Sequence, residues 1–145
     1  MASQRESILE AVTTAMHSST GIVYVSNKRE PWWDMDNTKF PAVCILETDE
    51  NKKRFAYPHP SAEDMYSELV LTILGYQYDN NNDLSVKRTS LIRDIEYAIQ
   101  GSTGVHDVTK DIINTKVETD NGLIDNYAIV HCRYVVKYVY NHASP

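Results

Sequence analysis

Five polar side chains, in two segments without a regular hydrophobic period, could bind a divalent metal ion. Imidazole and carboxylate groups are common zinc ligands and can support hydrolytic chemistry. The five are His59, Glu63, Asp64, His106 and Asp107. Their spacing is not that of a zinc motif, so we interpret them as ordinary loop polarity. A small metal-dependent or nucleotide-handling enzyme is the less favoured alternative.

The sequence signatures of the commonest hydrolases and nucleotide-binding proteins are missing. Gly101-Ser102-Thr103-Gly104 lacks the lysine and the spacing of a phosphate-binding loop, and neither Gly-x-Ser-x-Gly nor His-Glu-x-x-His occurs. His131 and Cys132 are adjacent in a predicted strand, so their side chains point to opposite faces and cannot form a nucleophile–base pair. We therefore expect no enzyme, no cofactor and no bound metal.

The charge balance disfavours binding to DNA. Fourteen Lys and Arg stand against twenty Asp and Glu, a net charge of −6, whereas nonspecific binding needs basic side chains that converge on phosphates. The densest basic cluster, Lys52-Lys53-Arg54, follows Glu47, Asp49 and Glu50. We interpret it as a solvated, charge-balanced turn.

Length and composition predict one soluble intracellular domain that spans residues 1–145. A chain of this length can bury a core without disulfide or metal support. No apolar run approaches the roughly 18 residues of a membrane helix, and the N-terminus does not resemble a secretory signal. Cys44 and Cys132 lie in apolar runs, which predicts buried free thiols in a reducing compartment.

Two amphipathic helices are expected. Residues 3–18 carry the first apolar stripe, with Ser3 and Glu6 in a capping-box pattern. The second helix is capped by Asn82 or Asp83 and stopped by Gly101, after which residues 101–109 are expected to form a loop. The two stripes are Ile8, Leu9, Val12, Ala15 and Met16, then Leu84, Leu91, Ile95, Ala98 and Ile99.

Strands are expected between and after these helices. The runs at 22–25 and 40–46 are apolar and β-rich, and 53–57 is a candidate partner strand after a turn at 48–52. For 65–78 a helix over part of the run is the alternative, and Gly75, Tyr76 and Tyr78 favour a strand. Residues 26–39 have no sustained period, so they form a long loop of the kind that often carries function.

The C-terminal third predicts a β-hairpin. Asn121-Gly122 between two β-rich runs is a strong turn signal, and a two-residue turn there pairs Ile113 with Val130, Thr115 with Ala128 and Val117 with Asn126. One face of the last strand is then apolar throughout, formed by Ala128, Val130, Cys132, Tyr134, Val136 and Tyr138. Two helices that must cover a sheet give an α+β, two-layer domain. We expect a mixed or antiparallel sheet of four to six strands with two helices packed on one face.

Aromatic side chains are the candidates for protein–protein contact. Trp32 and Trp33 lie in the long loop beside Asp34, either as a lid on the core or as a contact surface, since tryptophan is enriched at interface hot spots. Tyr138 and Tyr140 end a strand that is long for a small domain and could reach a neighbouring subunit. These five residues form the candidate interface.

The chain resembles the tail terminator (tail completion) proteins of tailed bacteriophages, the group that includes the lambda minor tail protein U. The resemblance lies in element order and length over nearly the whole chain. It is carried by the helix at residues 5–12, the apolar strand 40–46, the run 71–76 with Asp79, the helix 91–99, and the closing hairpin that ends in Tyr134-Val135-Val136-Lys137-Tyr138.

The resemblance implies a structural virion protein of the tail or neck, assembled in the host cytoplasm. Its copies would form a ring, expected to be a hexamer, that caps the tail tube, stops its polymerisation and offers a docking surface to the head-side connector. A contractile tail would add the sheath as a partner, and genomic DNA would pass through the central channel without specific binding. Another neck component such as a head–tail stopper is an alternative, although the two helices argue against it.

Overall fold

In the part of the chain that the structure describes, one five-stranded mixed sheet is accompanied by three α-helices and two short 3₁₀ helices. The computed structural model describes residues 3–53, 64–79, 83–120, 124 and 126–141. The strands lie in the order β1-β2-β3-β5-β4; β1 pairs parallel with β2, and the other neighbours pair antiparallel. The elements are α1 (Gln4–His17), β1 (Tyr24–Ser26), β2 (Ala42–Lys53), β3 (Asp64–Tyr78), α2 (Leu84–Gln100), α3 (Thr103–Val108), β4 (Asp111–Thr119) and β5 (Tyr127–Asn141). The α+β prediction is confirmed.

The first helix forms as its capping box predicts. The Ser3 hydroxyl accepts a hydrogen bond from the Glu6 N–H, and the Glu6 carboxylate accepts one from the Ser3 N–H, so two of the unpaired donors at the helix start are satisfied. The residues of α1 that are buried against the sheet are Ile8, Val12, Ala15 and Met16.

The second helix packs on the same face of the sheet through Leu91, Ile95 and Ile99, all buried. It approaches the sheet closely at Gly75, where a Cβ would lie 2.8 Å from both Leu91 Cδ2 and Val130 Cγ2. A residue without a Cβ is therefore needed at this point, between α2 and β5.

The expected loop at 101–109 is wrong, because a short helix, α3, occupies most of it. The Ser102 hydroxyl accepts from the Val105 N–H at 3.2 Å and caps this helix. Its single buried residue, Val105, joins the same core as the two longer helices.

The expected turn at residues 48–52 is also wrong. β2 continues through this segment to Lys53 and pairs with β3 along its length, with an irregularity between Glu47 and Asp49. A β-bulge lets a strand absorb an extra residue and keep pairing, so polar composition alone does not end this strand. The basic pair Lys52-Lys53 consequently lies in a strand.

The predicted pairing of β4 with β5 is wrong in register. Ile113 faces Val135 rather than Val130, and Val117 faces Cys132 rather than Asn126. The strands are joined by a longer connection than a two-residue turn, since β4 ends at Thr119 and β5 begins at Tyr127. An irregularity between Asn114 and Lys116 further shifts the pairing. Asn121 and Gly122 themselves lie outside the described residues.

Two apolar clusters lie on opposite faces of the sheet. The larger joins the helices to the predicted apolar face of β5, whose residues from Ala128 to Tyr138 are all buried. The smaller lies on the other face, which we call the outer face, and contains Met35, Phe40, Ala42, Cys44, Leu74, Tyr76 and Ile129. Part of the long loop at 26–39 therefore covers one end of the outer face.

Candidate assembly surface

An aromatic cluster stands at the covered end of the outer face, where β3 ends and β5 begins. The Tyr127 ring is its centre: ring centroids of Trp32, Tyr78 and Phe40 lie 4.4, 5.3 and 5.7 Å from it. Tilted and edge-on pairs at these distances are favourable for aromatic rings. The cluster thus fastens the loop at 26–39 to the sheet.

The sequence left open whether Trp32 and Trp33 cover the core or form a contact surface, and the structure places the two side chains differently. Trp32 packs on Tyr127 and belongs to the edge of the smaller core, so it is the lid. Trp33 contacts Trp32 edge-on, with ring centroids 5.3 Å apart, and is 66% exposed. Asp34 follows it in the same 3₁₀ turn and is exposed as well. A large apolar ring and a carboxylate are therefore presented side by side to solvent.

Polar contacts hold the rest of this loop in place. The Asp36 carboxylate accepts from the Thr38 N–H at 3.1 Å, and the ammonium of Lys39 lies 4.5 Å from the centre of the Tyr24 ring. The Tyr24 hydroxyl donates to Glu30 at 2.7 Å, and this hydrogen bond is the main cause that raises the pKa of Tyr24. The exposed Trp33 is therefore carried by an anchored loop.

Tyr138 and Tyr140 are not brought together with the tryptophans. Tyr138 lies near the other end of β5 on the helix-bearing face and is only 4% exposed, so the expectation that it is an exposed contact residue is wrong. Tyr140 pairs with Met65 of β3, and its side chain lies outside the described residues.

The uncovered part of the outer face is charged. Lys116 and Glu118 of β4 form an ion pair at 2.6 Å, and next to them in β5 are Arg133 and His131. Lys116 lowers the pKa of Glu118, while burial lowers the pKa of His131. The outer face therefore passes from an aromatic end to a mixed-charge end.

A groove of about 770 Å³ lies between the three helices on the opposite side of the molecule. Small and hydroxyl-bearing residues line most of it, with the carboxylates of Glu10 and Asp94 and the 67% exposed ring of Tyr97 in its walls. The lining of the groove contains these two carboxylates but no histidine or cysteine.

The candidate catalytic residues do not form a centre within the described residues. His106 and Asp107 lie on α3, where His106 Nε2 donates to the Gln100 carbonyl at 2.9 Å. His59, Glu63 and the side chain of Asp64 lie outside the described part of the chain. In that part, no three histidine, cysteine or carboxylate side chains are placed to hold a metal ion.

The two cysteines are buried and free, as predicted. Burial raises the pKa of Cys132 to about 12, so its thiol stays protonated and unreactive. Cys132 is part of the core on the helix-bearing face, whereas the adjacent His131 lies on the outer face, which agrees with the expected alternation.

Sequence reasoning missed Tyr127, the platform on which Trp32 rests. The signal was present in the strand alternation: Tyr127 and Ile129 are apolar members of the same set as His131 and Arg133. Two apolar residues ahead of His131 and Arg133 on this face indicate that this end is covered.

No helix in the described ranges has both the length and the apolar character needed to cross a membrane. Neither the models of known protein families nor the curated proteins give a match to this sequence.

Proposed function

We propose that this protein is the tail terminator of a tailed bacteriophage. In this role its copies close into a ring, a hexamer, that caps the tail tube, stops tube polymerisation and offers the docking surface for the head-side connector. It is a structural protein of the virion tail and neck, and it is assembled in the host cytoplasm. The tail tube protein and the connector are its partners, together with the sheath if the tail is contractile.

The observation that carries the proposal is the exposure of Trp33. A tryptophan that is 66% exposed leaves a large apolar ring in water, and Trp32 holds it there through an edge-on contact. Exposed aromatic residues on a fixed support are typical of protein contact sites, where tryptophan contributes much of the binding energy. An assembly protein needs such a contact with its next copy or with the tube.

Two further features support the proposal. The α+β order of elements, with helices on one face of the sheet, agrees with the resemblance on which the hypothesis rests. The net charge of −6 suits a ring through which DNA passes, since an acidic protein repels the phosphate backbone. A ring also requires a heterologous interface, in which two different surfaces of each copy meet.

The test is the substitution Trp33→Ala, with Tyr97→Ala as the matched control. Tyr97 is 67% exposed and lies on α2, on the other side of the sheet. We expect Trp33→Ala to weaken ring formation, or binding to purified tail tubes, at least tenfold while the thermal midpoint stays close to that of the wild type. Tyr97→Ala should leave assembly unchanged. Equal assembly of the wild type and the Trp33 variant would contradict the role given to this surface.

A further inference from the structure

The free edge of β4 offers hydrogen-bonding groups to another strand. β4 is nine residues long and lies at the end of the sheet, and no other strand of the described chain runs along its outer side. Two of its large apolar residues, Ile113 and Val117, are 44% and 38% exposed. Sheet edges of this kind pair readily with further strands unless they are blocked.

The hydrogen-bonding direction of the edge can be read from its last residues. The Asp120 N–H donates to the Ile129 carbonyl at 3.2 Å. Because backbone groups alternate in direction along a strand, those of Glu118 also point to β5, and those of Val117 and Thr119 point outward. Val117 is therefore a residue through which an incoming strand can bond.

The charges beside Val117 select the partner strand. Lys116 and Glu118 flank it, so a second β4 that runs antiparallel and crosses at Val117 places each lysine opposite a glutamate. A crossing at Lys116 would oppose two lysines, and one at Glu118 two glutamates, and both are unfavourable. The crossing at Val117 also satisfies the outward hydrogen-bonding direction.

Lys116 has a second reason to accept another carboxylate. Its neighbour across the sheet is Arg133, a like charge, and its ion-pair partner in the same chain is Glu118 at 2.6 Å. Lys116, Arg133 and Glu118 together carry a net positive charge, which a glutamate from a second copy would neutralise.

We propose that two copies of this protein pair antiparallel through β4, with Val117 at the two-fold axis and reciprocal Lys116–Glu118 ion pairs on the outer face. β1, at the opposite end of the sheet, is only three residues long. It could therefore form fewer hydrogen bonds with β4 of another copy than a second β4 could. Pairing of the same edge is isologous and cannot close a ring of copies by itself. This pairing can join two free copies or two rings, so the proposal does not depend on the proposed function.

Cross-linking of the full chain tests the contact. In Val117→Cys, the two thiols lie on residues whose Cα atoms are about 5.5 Å apart in a hydrogen-bonded antiparallel pair, within the range that a disulfide can bridge. We expect a covalent dimer on mild oxidation or with a short bifunctional maleimide. The control is Ile113→Cys, which is similarly exposed but whose two copies would be more than about 20 Å apart along the strands.

Charge reversal tests the register. Lys116→Glu and Glu118→Lys each oppose like charges, so either change should raise the dimer dissociation constant at least tenfold in sedimentation analysis. The double substitution restores opposite charges and should restore the dimer.

Equal cross-linking at positions 113 and 117, a monomer at every concentration, or no rescue by the double substitution would overturn the proposal. Rings without a Val117 cross-link would overturn it too, yet leave the proposed function standing. Cross-linked dimers that form no ring would support it and count against that function.

Discussion

The hydroxyl of Tyr138 in β5 donates a hydrogen bond to the carboxylate of Glu50 in β2, across the intervening strand β3. The same carboxylate oxygen accepts from the Ser67 hydroxyl of β3 at 2.7 Å. Arg5, at the start of α1, reaches the other oxygen at 3.0 Å. One partly buried carboxylate thus ties three strands to the first helix.

We expect Tyr138→Phe to destabilise the fold because it removes a hydrogen bond to a charged group, a loss of roughly 1.5–3 kcal/mol. The measurement is the free energy of unfolding in urea. The matched control is Tyr134→Phe, since the Tyr134 hydroxyl is also buried but its polar neighbour is the neutral amide of Asn114 and not a carboxylate. That change should cost clearly less than Tyr138→Phe, because no hydrogen bond to a charged group is lost. Equal losses from the two variants would contradict the account of Glu50.

Alkaline pH should weaken the same region. Burial raises the pKa of both Tyr134 and Tyr138 to about 12, whereas the pKa of tyrosine in an unfolded chain is about 10. The unfolded state therefore loses its protons first as the pH rises, so stability from these groups is fully present below about pH 10 and declines towards about pH 12. Urea midpoints over this range should fall less steeply in Tyr138→Phe than in the wild type. Parallel slopes would contradict the burial of this hydroxyl.

Gly75 should be intolerant of a side chain. An added Cβ would lie 2.8 Å from side-chain atoms of Leu91 and Val130, so Gly75→Ala must displace these packed side chains, and we expect a loss of about 1–3 kcal/mol of unfolding free energy. Gly104→Ala is the control, because the nearest atom to its Cβ is Ser102 Oγ at 3.7 Å and alanine favours a helix. A neutral Gly75→Ala would show that the packing of α2 is looser than described.

The sequence predicts the two long helices well because their signals are local. The Ser3–Glu6 capping box and the stripe at Leu91, Ile95 and Ile99 each depend on residues within one or two turns. A three- or four-residue spacing is fixed by helix geometry alone. These elements could therefore be read without knowledge of their partners.

The strand register could not be predicted in the same way. The extra residue at Thr115, between Asn114 and Lys116, puts Ile113 and Val117 on opposite faces of the sheet, whereas the predicted register had put both on the face that carries Cys132. Which face of a strand is buried depends on its tertiary partners, so the turn signal of Asn121-Gly122 was a weaker guide than the whole sheet.

The candidate surface was predicted in part. Residue type identified the two tryptophans, but only the position of Tyr127 assigns Trp32 to the lid and leaves Trp33 exposed. Tyr138 was misassigned because β5 was expected to run past its sheet. β3 has the same length of 15 residues and pairs with β5 throughout.

The solution mass of the wild-type protein, measured by light scattering and followed by negative-stain imaging, tests the central claim most directly. The proposed hexameric tail terminator predicts ring-shaped particles with a mass of about six subunits, or about twelve where two rings pair through β4. A monomer that also fails to bind purified tail tubes would contradict the proposal that this protein is a tail terminator.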